Sequence, residues 1–155
     1  MTQSPPAIRI LPMDSKATPG FVGASIEDVQ RLFFLNALVV QPVPGRFHYC
    51  KSGLRAEPGT VVLFQFQGRI IASAILVGIE RFETPEPGGH VGAYLFDVES
   101  IRVFDPVDAA TLGKVWPNVS RLGQAKWDLD PKGYAKFERM LTGVETANSY
   151  EQLKG

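Results

Sequence analysis

Two runs of β-forming residues dominate the middle of the chain: Val61-Val62-Leu63-Phe64-Gln65-Phe66 and Arg69-Ile70-Ile71-Ala72-Ser73-Ala74-Ile75-Leu76-Val77. Only Gln67-Gly68 separates them. Branched and aromatic side chains suit a pleated backbone, and glycine reaches the positive φ that a two-residue turn requires. The pair therefore reads as a β-hairpin. Alternation puts Phe64 and Phe66 on the face opposite Leu63 and Gln65. A polar, aromatic loop leads into the hairpin, Phe47-His48-Tyr49-Cys50-Lys51-Ser52-Gly53-Leu54, followed by the turn Glu57-Pro58-Gly59-Thr60.

The flanking sequence supplies more strands and a few helices. Residues 1–24 are rich in Pro, Ser and Gly around an apolar Ile8-Arg9-Ile10-Leu11, which reads as an N-terminal arm or strand. Ser25 with Asp28 three residues on marks a helix start. Ile26, Val29, Leu32, Phe33 and positions 36–37 give its apolar spacing. It should stop before Gln41-Pro42-Val43-Pro44-Gly45, because a proline drives the preceding residue out of helix. Thr84 to Gly89 reads as a surface loop. Residues 92–104 read as strand, bent around Glu99-Ser100 and ended by Asp105-Pro106. Asp108 caps a short helix containing Leu112, Val115 and Trp116. Asp130-Pro131 opens a last helix with Tyr134, Phe137, Met140 and Leu141 on its apolar stripe. Residues 142–155 read as a polar tail. The arrangement, strands outnumbering helices without regular βαβ alternation, predicts an α+β domain over 25–141. Its core is a curved, mostly antiparallel sheet or small β-barrel with helices packed outside.

Composition limits the function classes. A chain of 155 residues suits one domain, and 45% hydrophobic residues suffice for a core. Sixteen basic and sixteen acidic residues cancel, so nucleic-acid contact would rest on a local patch rather than on the field of the whole molecule. Cys50 is the sole cysteine, which rules out an internal disulfide and a cysteine-built zinc site. His48 and His90 are too few and too separated to read as a metal centre. The first residues lack a basic segment followed by an apolar run, and the apolar runs near 32–40 and 70–79 are too short for a bilayer. A reducing, cytoplasmic setting with no membrane contact is the expectation.

Catalytic signatures are missing from the sequence. It has no Gly-x-x-x-x-Gly-Lys-Ser/Thr phosphate loop, no dinucleotide fingerprint and no Gly-x-Ser-x-Gly elbow. On a strand, His48 and Cys50 would stand about 7 Å apart, beyond direct proton transfer. Asp105 with Asp108, and Asp128 with Asp130, sit beside prolines and helix starts, where capping explains them better than acid–base chemistry. Phe64 and Trp116 read as core. Tyr49 and Trp127 lie in polar, breaker-rich segments and read either as core or as a stacking wall for a planar ligand. The stretch Ser120-Arg121-Leu122-Gly123-Gln124-Ala125-Lys126-Trp127 offers cations for phosphate and an amide for a base edge, or else is a solvated loop.

Taken in order, several segments resemble the EVE family, within the wider PUA-like group of small barrels. Pro58-Gly59-Thr60-Val61-Val62-Leu63-Phe64 is similar to the family's strand entered from a glycine turn. Ile70-Ile71-Ala72-Ser73-Ala74 is similar to its next barrel strand. Arg121-Leu122-Gly123-Gln124, followed by Leu129 and a proline-initiated helix, resembles its Arg-Leu-Ser-x-Gln segment, with Gly123 in place of Ser and the Gln one position early. The likeness spans roughly residues 45–141. It implies a PUA-like binding module, not an enzyme, that reads an extruded, modified base of DNA or RNA in an aromatic pocket. In that reading Tyr49 and Trp127 stack on the base, Gln124 and Ser52 bond its edge, and Lys51, Arg55 and Arg121 hold phosphates. No cofactor or metal is implied. Relatives fused to nucleases imply a nuclease partner in bacterial defence. The alternatives are a small-molecule or nucleotide-binding domain and a non-catalytic protein-interaction module of a defence complex.

Overall fold

The computed structural model describes residues 5–13, 23–49, 55–86, 89–119, 121–123 and 127–147. The expected hairpin is present as β3 (Val61–Phe66) and β4 (Arg69–Glu86), paired antiparallel. Gln67 and Gly68 both have positive φ, 52° and 75°. Two left-handed residues in succession match the twist of the flanking strands, and glycine takes that conformation without steric cost. β4 outruns its partner. β3 and β6 (Arg102–Val107) flank its first half, and β5 (His90–Phe96) pairs with its second half. β5 and β6 follow one another along β4, broken by a 3₁₀ turn at Val98–Ser100. That is the bend expected near Glu99-Ser100.

The outer strands were harder to foresee. β1 (Ile8–Pro12) pairs in parallel with β3, and β7 (Asp128–Leu129) pairs with β1. The segment set apart above as an arm or strand therefore lies inside the sheet. β2 (Arg46–Tyr49) pairs with β5, so Phe47 to Tyr49 are strand rather than loop. β8 (Glu145–Thr146), in the expected tail, pairs with β6. The order is β2-β5-β4-β3-β1-β7. Among the described residues no ladder joins β2 to β7, so hydrogen bonding does not close the sheet into a barrel. Pro85, expected in a surface loop, and Pro106, expected to end a strand, both lie within strands. Pro85 falls in the stretch between Arg81 and Glu86 where β4 loses register with β5, and Pro106 falls where β6 loses register with β4. A proline is tolerated where no ladder donor is needed.

Ser25 caps the first helix as expected, its hydroxyl accepting the Asp28 N–H at 3.0 Å. α1 (Ile26–Asp28), a π-wound stretch (Val29–Ala37) and α2 (Leu38–Val40) form one helical run that ends at extended Gln41. The buried residues are Val29, Phe34, Leu35 and Leu38, whereas Leu32 is 62% exposed. The expected stripe assumed α-helical spacing. Bonds from i to i+5 put more residues in each turn, so the buried contact passes from Val29 to Phe34 and then to Leu38. Gln30 fastens this run to the sheet, its Nε2 donating to the carbonyls of Ile71 at 2.9 Å and Phe104 at 2.7 Å.

Two cores result, one on each face of the β1–β3–β4 sheet. The first holds Leu11, Val62, Phe64 and Phe66 under the helical run, with Phe47, Tyr49, Tyr94 and Phe96. The second holds Ile8, Ile10, Val61 and Leu63 under Leu112, Trp116, Val119, Leu129 and Phe137. The alternation expected along β3 is thus observed. Asp108 caps α3 (Ala109–Leu112), and Asp130 caps the Pro131–Gly133 turn that enters α4 (Tyr134–Met140). Arg102 links β6 to α4 through Ser73 Oγ at 3.1 Å, Tyr134 Oη at 3.0 Å and the Glu138 carboxylate at 3.1 Å.

Candidate functional site

Two candidate residues, Arg55 and Trp127, are tied by their backbones to one residue of β1. Arg9 Nε donates to the Trp127 carbonyl at 3.2 Å, and its Nη1 donates to the Arg55 carbonyl at 3.1 Å. Its β1 neighbour Ile10 also donates its N–H to the Trp127 carbonyl, at 3.0 Å. A guanidinium holds several donors in a rigid fork, so one side chain can fix two backbone segments at once. The result places the segment leading out of 50–54 beside the segment leading into β7. On the other side of β1, Gln65 Nε2 donates to the Gly123 carbonyl at 2.7 Å. Arg121, two residues earlier, is exposed, and Leu122 packs against the second core.

Of the expected site residues, Arg55 and Trp127 are brought together through Arg9, and Arg121 lies on the strand-entry segment that Gln65 holds. Tyr49 is not among them. It belongs to β2 and the first core, 9% exposed, with its ring stacked on Tyr94 at 4.6 Å and 27°. Gly92 opposite leaves the space this ring fills, for a Cβ there would collide with the Tyr49 ring and the Glu80 carbonyl. The breaker-rich surroundings suggested a loop aromatic, but the strand pairing of 46–49 with β5 turns it inward. Trp127 packs instead against the second core. Lys51, Ser52 and Gln124 lie outside the described residues, as does Cys50.

Arg9 and Gln65 were missed, though each carries a signal. Arg9 stands between two isoleucines, and Gln65 between two phenylalanines. A polar side chain inside an apolar strand is there for a partner. Gln65 is 6% exposed, and its Oε1 has no hydrogen-bond partner among the described residues. The same holds for the buried indole Nε1 of Trp127. Trp116 differs: its Nε1 donates to the Asp130 carbonyl at 2.8 Å.

Two other polar groupings lie elsewhere. His48 sits 5.0 Å ring to ring from His90, with its Nε2 3.6 Å from the Glu86 carboxylate. Burial, with Arg46 and His90 alongside, holds His48 below the usual imidazole value, against the pull of Glu86 and Glu80. Arg46 pairs with Glu80 at 2.9 Å and lies over the Phe82 ring at 5.4 Å. Among the described residues no cluster of His, Cys, Asp and Glu has the form of a metal site. A cleft of about 460 Å³ opens where Gln30, Arg31 and Arg69 face Phe104, Asp105 and Glu145. Within it Arg31 pairs with Glu27 and Glu145, and Asp105 accepts a hydrogen bond from the Thr142 hydroxyl. It contains none of the expected site residues.

No family model matches the sequence, and no curated protein matches it. The fold does have solved counterparts. An ASCH protein from Zymomonas mobilis superposes with a TM-score of 0.51 at 12% identity, over 87% of this chain and 96% of that one. A tyrosine-to-phenylalanine variant of that protein gives 0.51 at 12%, over 87% and 99%. The YTH domain of Zygosaccharomyces rouxii MRB1, solved in complex with N6-methyladenosine RNA, gives 0.49 at 12%, over 94% of each chain. The likeness to the ASCH protein is one of fold. The chain has a PUA-like α+β fold. Among the described residues no helix is long and apolar enough to cross a membrane.

Proposed function

We propose that this PUA-like domain is a nucleic-acid-binding module of EVE type that reads an extruded, modified base. The observation that carries the reading is the Arg9 clamp, which gathers the Arg55 segment and Trp127 at one place on the sheet. Exposed Arg55 and Arg121 supply the local cations that a chain of balanced charge needs in order to meet phosphates. Lys51, Ser52 and Gln124 belong to the same two loops by sequence and extend the contact to phosphate and base edge. Tyr49, its ring stacked on Tyr94 within the first core, takes no part in stacking on the base. The domain binds without catalysing, and in a defence setting in the cytoplasm any cleavage falls to a nuclease partner.

The test is a fluorescence-anisotropy panel comparing plain, methylated and hydroxymethylated duplex DNA with matched single strands and RNA. Selective binding to one modified oligonucleotide is the expected result. Arg55→Ala and Arg121→Ala should each lower the salt slope of log K by about 1. A folded protein that binds none of the panel overturns the reading.

A further inference from the structure

We propose that the cleft beside Gln30 binds a small zwitterion, an α-amino acid with an apolar side chain, its carboxylate on Arg69 and its ammonium on Asp105. The site shares no residue with the Arg9 clamp and does not depend on the nucleic-acid reading. It opens where the β4–β6 ladder is interrupted. β4 passes from Ile70 to Ala72 while β6 runs from Val107 to Val103, which leaves Phe104, Asp105 and Pro106 out of register and lining the cleft. Within that gap the Gln30 amide serves the carbonyls of Ile71 and Phe104, giving Nε2 to both. An amide nitrogen carries two hydrogens, so Gln30 has only its oxygen left to offer, and that oxygen accepts no hydrogen bond among the described residues.

The charges of the cleft say what would fit. Glu27 and Glu145 are both drawn to Arg31. Arg69 and Asp105 come from the two strands that border the gap, and neither has an ion-pair partner among the described residues. The Asp108 carboxylate is held low first by its bonds to Thr111 and only weakly by Arg69. A guanidinium and a carboxylate that line one cavity without meeting are complemented by a ligand carrying both signs. A simple cation would leave Arg69 facing like charge, and a simple anion would meet Glu27, Asp105 and Glu145. The volume, about 460 Å³, suits a small ligand, and Ile26 and Pro106 add apolar lining for its side chain.

The probes are L-leucine and its two halves: isoamylamine, which keeps the ammonium, and 4-methylpentanoate, which keeps the carboxylate. Each is titrated into the full chain while the backbone ¹⁵N–¹H resonances are followed. L-Leucine should move the amides of Arg69, Asp105 and Gly143, and each half should bind about three- to tenfold more weakly. Arg69→Gln should weaken L-leucine by a similar factor and leave isoamylamine unchanged. Asp105→Asn, which still accepts from the Thr142 hydroxyl, should weaken L-leucine and leave 4-methylpentanoate unchanged. Both side chains are exposed, so both variants should fold as the parent does. L-Leucine that moves no amide of the cleft overturns the proposal. So does either half binding as tightly as L-leucine, or parental affinity for L-leucine in both variants.

Discussion

The two tryptophans line the same core and face opposite demands. Trp116 is 3% exposed, packs on Phe137 at 5.5 Å and gives its indole N–H to the Asp130 carbonyl. Trp127 packs against the same core from β7's approach, is held by its backbone carbonyl, and leaves its own N–H unpaired among the described residues. The first is what a buried tryptophan looks like when stability alone selects it. The second carries a polar atom that the fold does not use. The two indoles thus differ in hydrogen bonding and in burial, Trp116 being enclosed and Trp127 only partly buried.

Substitutions should widen that contrast. Trp116→Ala has the largest expected effect, a loss of about 3–5 kcal/mol from the cavity it leaves, read by chemical denaturation. Trp116→Phe keeps most of the ring but removes the indole's bond to the Asp130 carbonyl, which still accepts from the Gly133 N–H, and should cost about 0.5–1.5 kcal/mol. Trp127→Phe should cost nothing in the same assay, and a loss matching that of Trp116→Phe would end the distinction. Arg9→Ala removes two partly exposed bonds to carbonyls and should cost about 1–2 kcal/mol. Hydrogen exchange should quicken near Trp127 in that variant and stay unchanged near Trp116.

The smallest effect concerns pH and should leave both tryptophans alone. His48 binds its proton less readily folded than unfolded, where the ordinary value is 6.5. The unfolded chain then holds more protons between the lowered folded value and 6.5. Stability from this group is complete above 6.5, falls as pH drops through that window, and levels off beneath it. His48→Asn should flatten the dependence. A parent whose stability rises on acidification from pH 7 to 6 would contradict the sign.

What the sequence made legible was local. The Gln67-Gly68 turn, the caps at Ser25, Asp108 and Asp130, and the apolar stripe of α4 each depend on residues a few positions apart. Phe137 is buried and Tyr134, Met140 and Leu141 pack beside it, as the spacing required. What stayed hidden was set by distant partners. β1 reads as either arm or strand, and only β3 and β7 on its two sides decide for strand, while 46–49 reads as a loop until β5 pairs with it. The π winding of Val29–Ala37 shifts the buried stripe off Leu32, and no residue there announces it. The candidate site divides the same way. Residue type pointed to Arg55, Arg121 and Trp127, whereas Arg9 and Gln65 acquire their roles only through contacts across the sheet.

The placement of β1 also fixes an order of events during synthesis. Ile8–Pro12 leaves the ribosome before either neighbour: its parallel partner β3 comes only after the helical run and β2, and Leu129 only after β3 to β6. Pairing over such separations must meet the entropy of closing long loops before any contact rewards it. Until then the first strand waits as an unpaired, apolar edge. A nascent chain stalled before β7 would expose Ile8 and Ile10, and a chaperone that holds extended apolar segments has its natural target there.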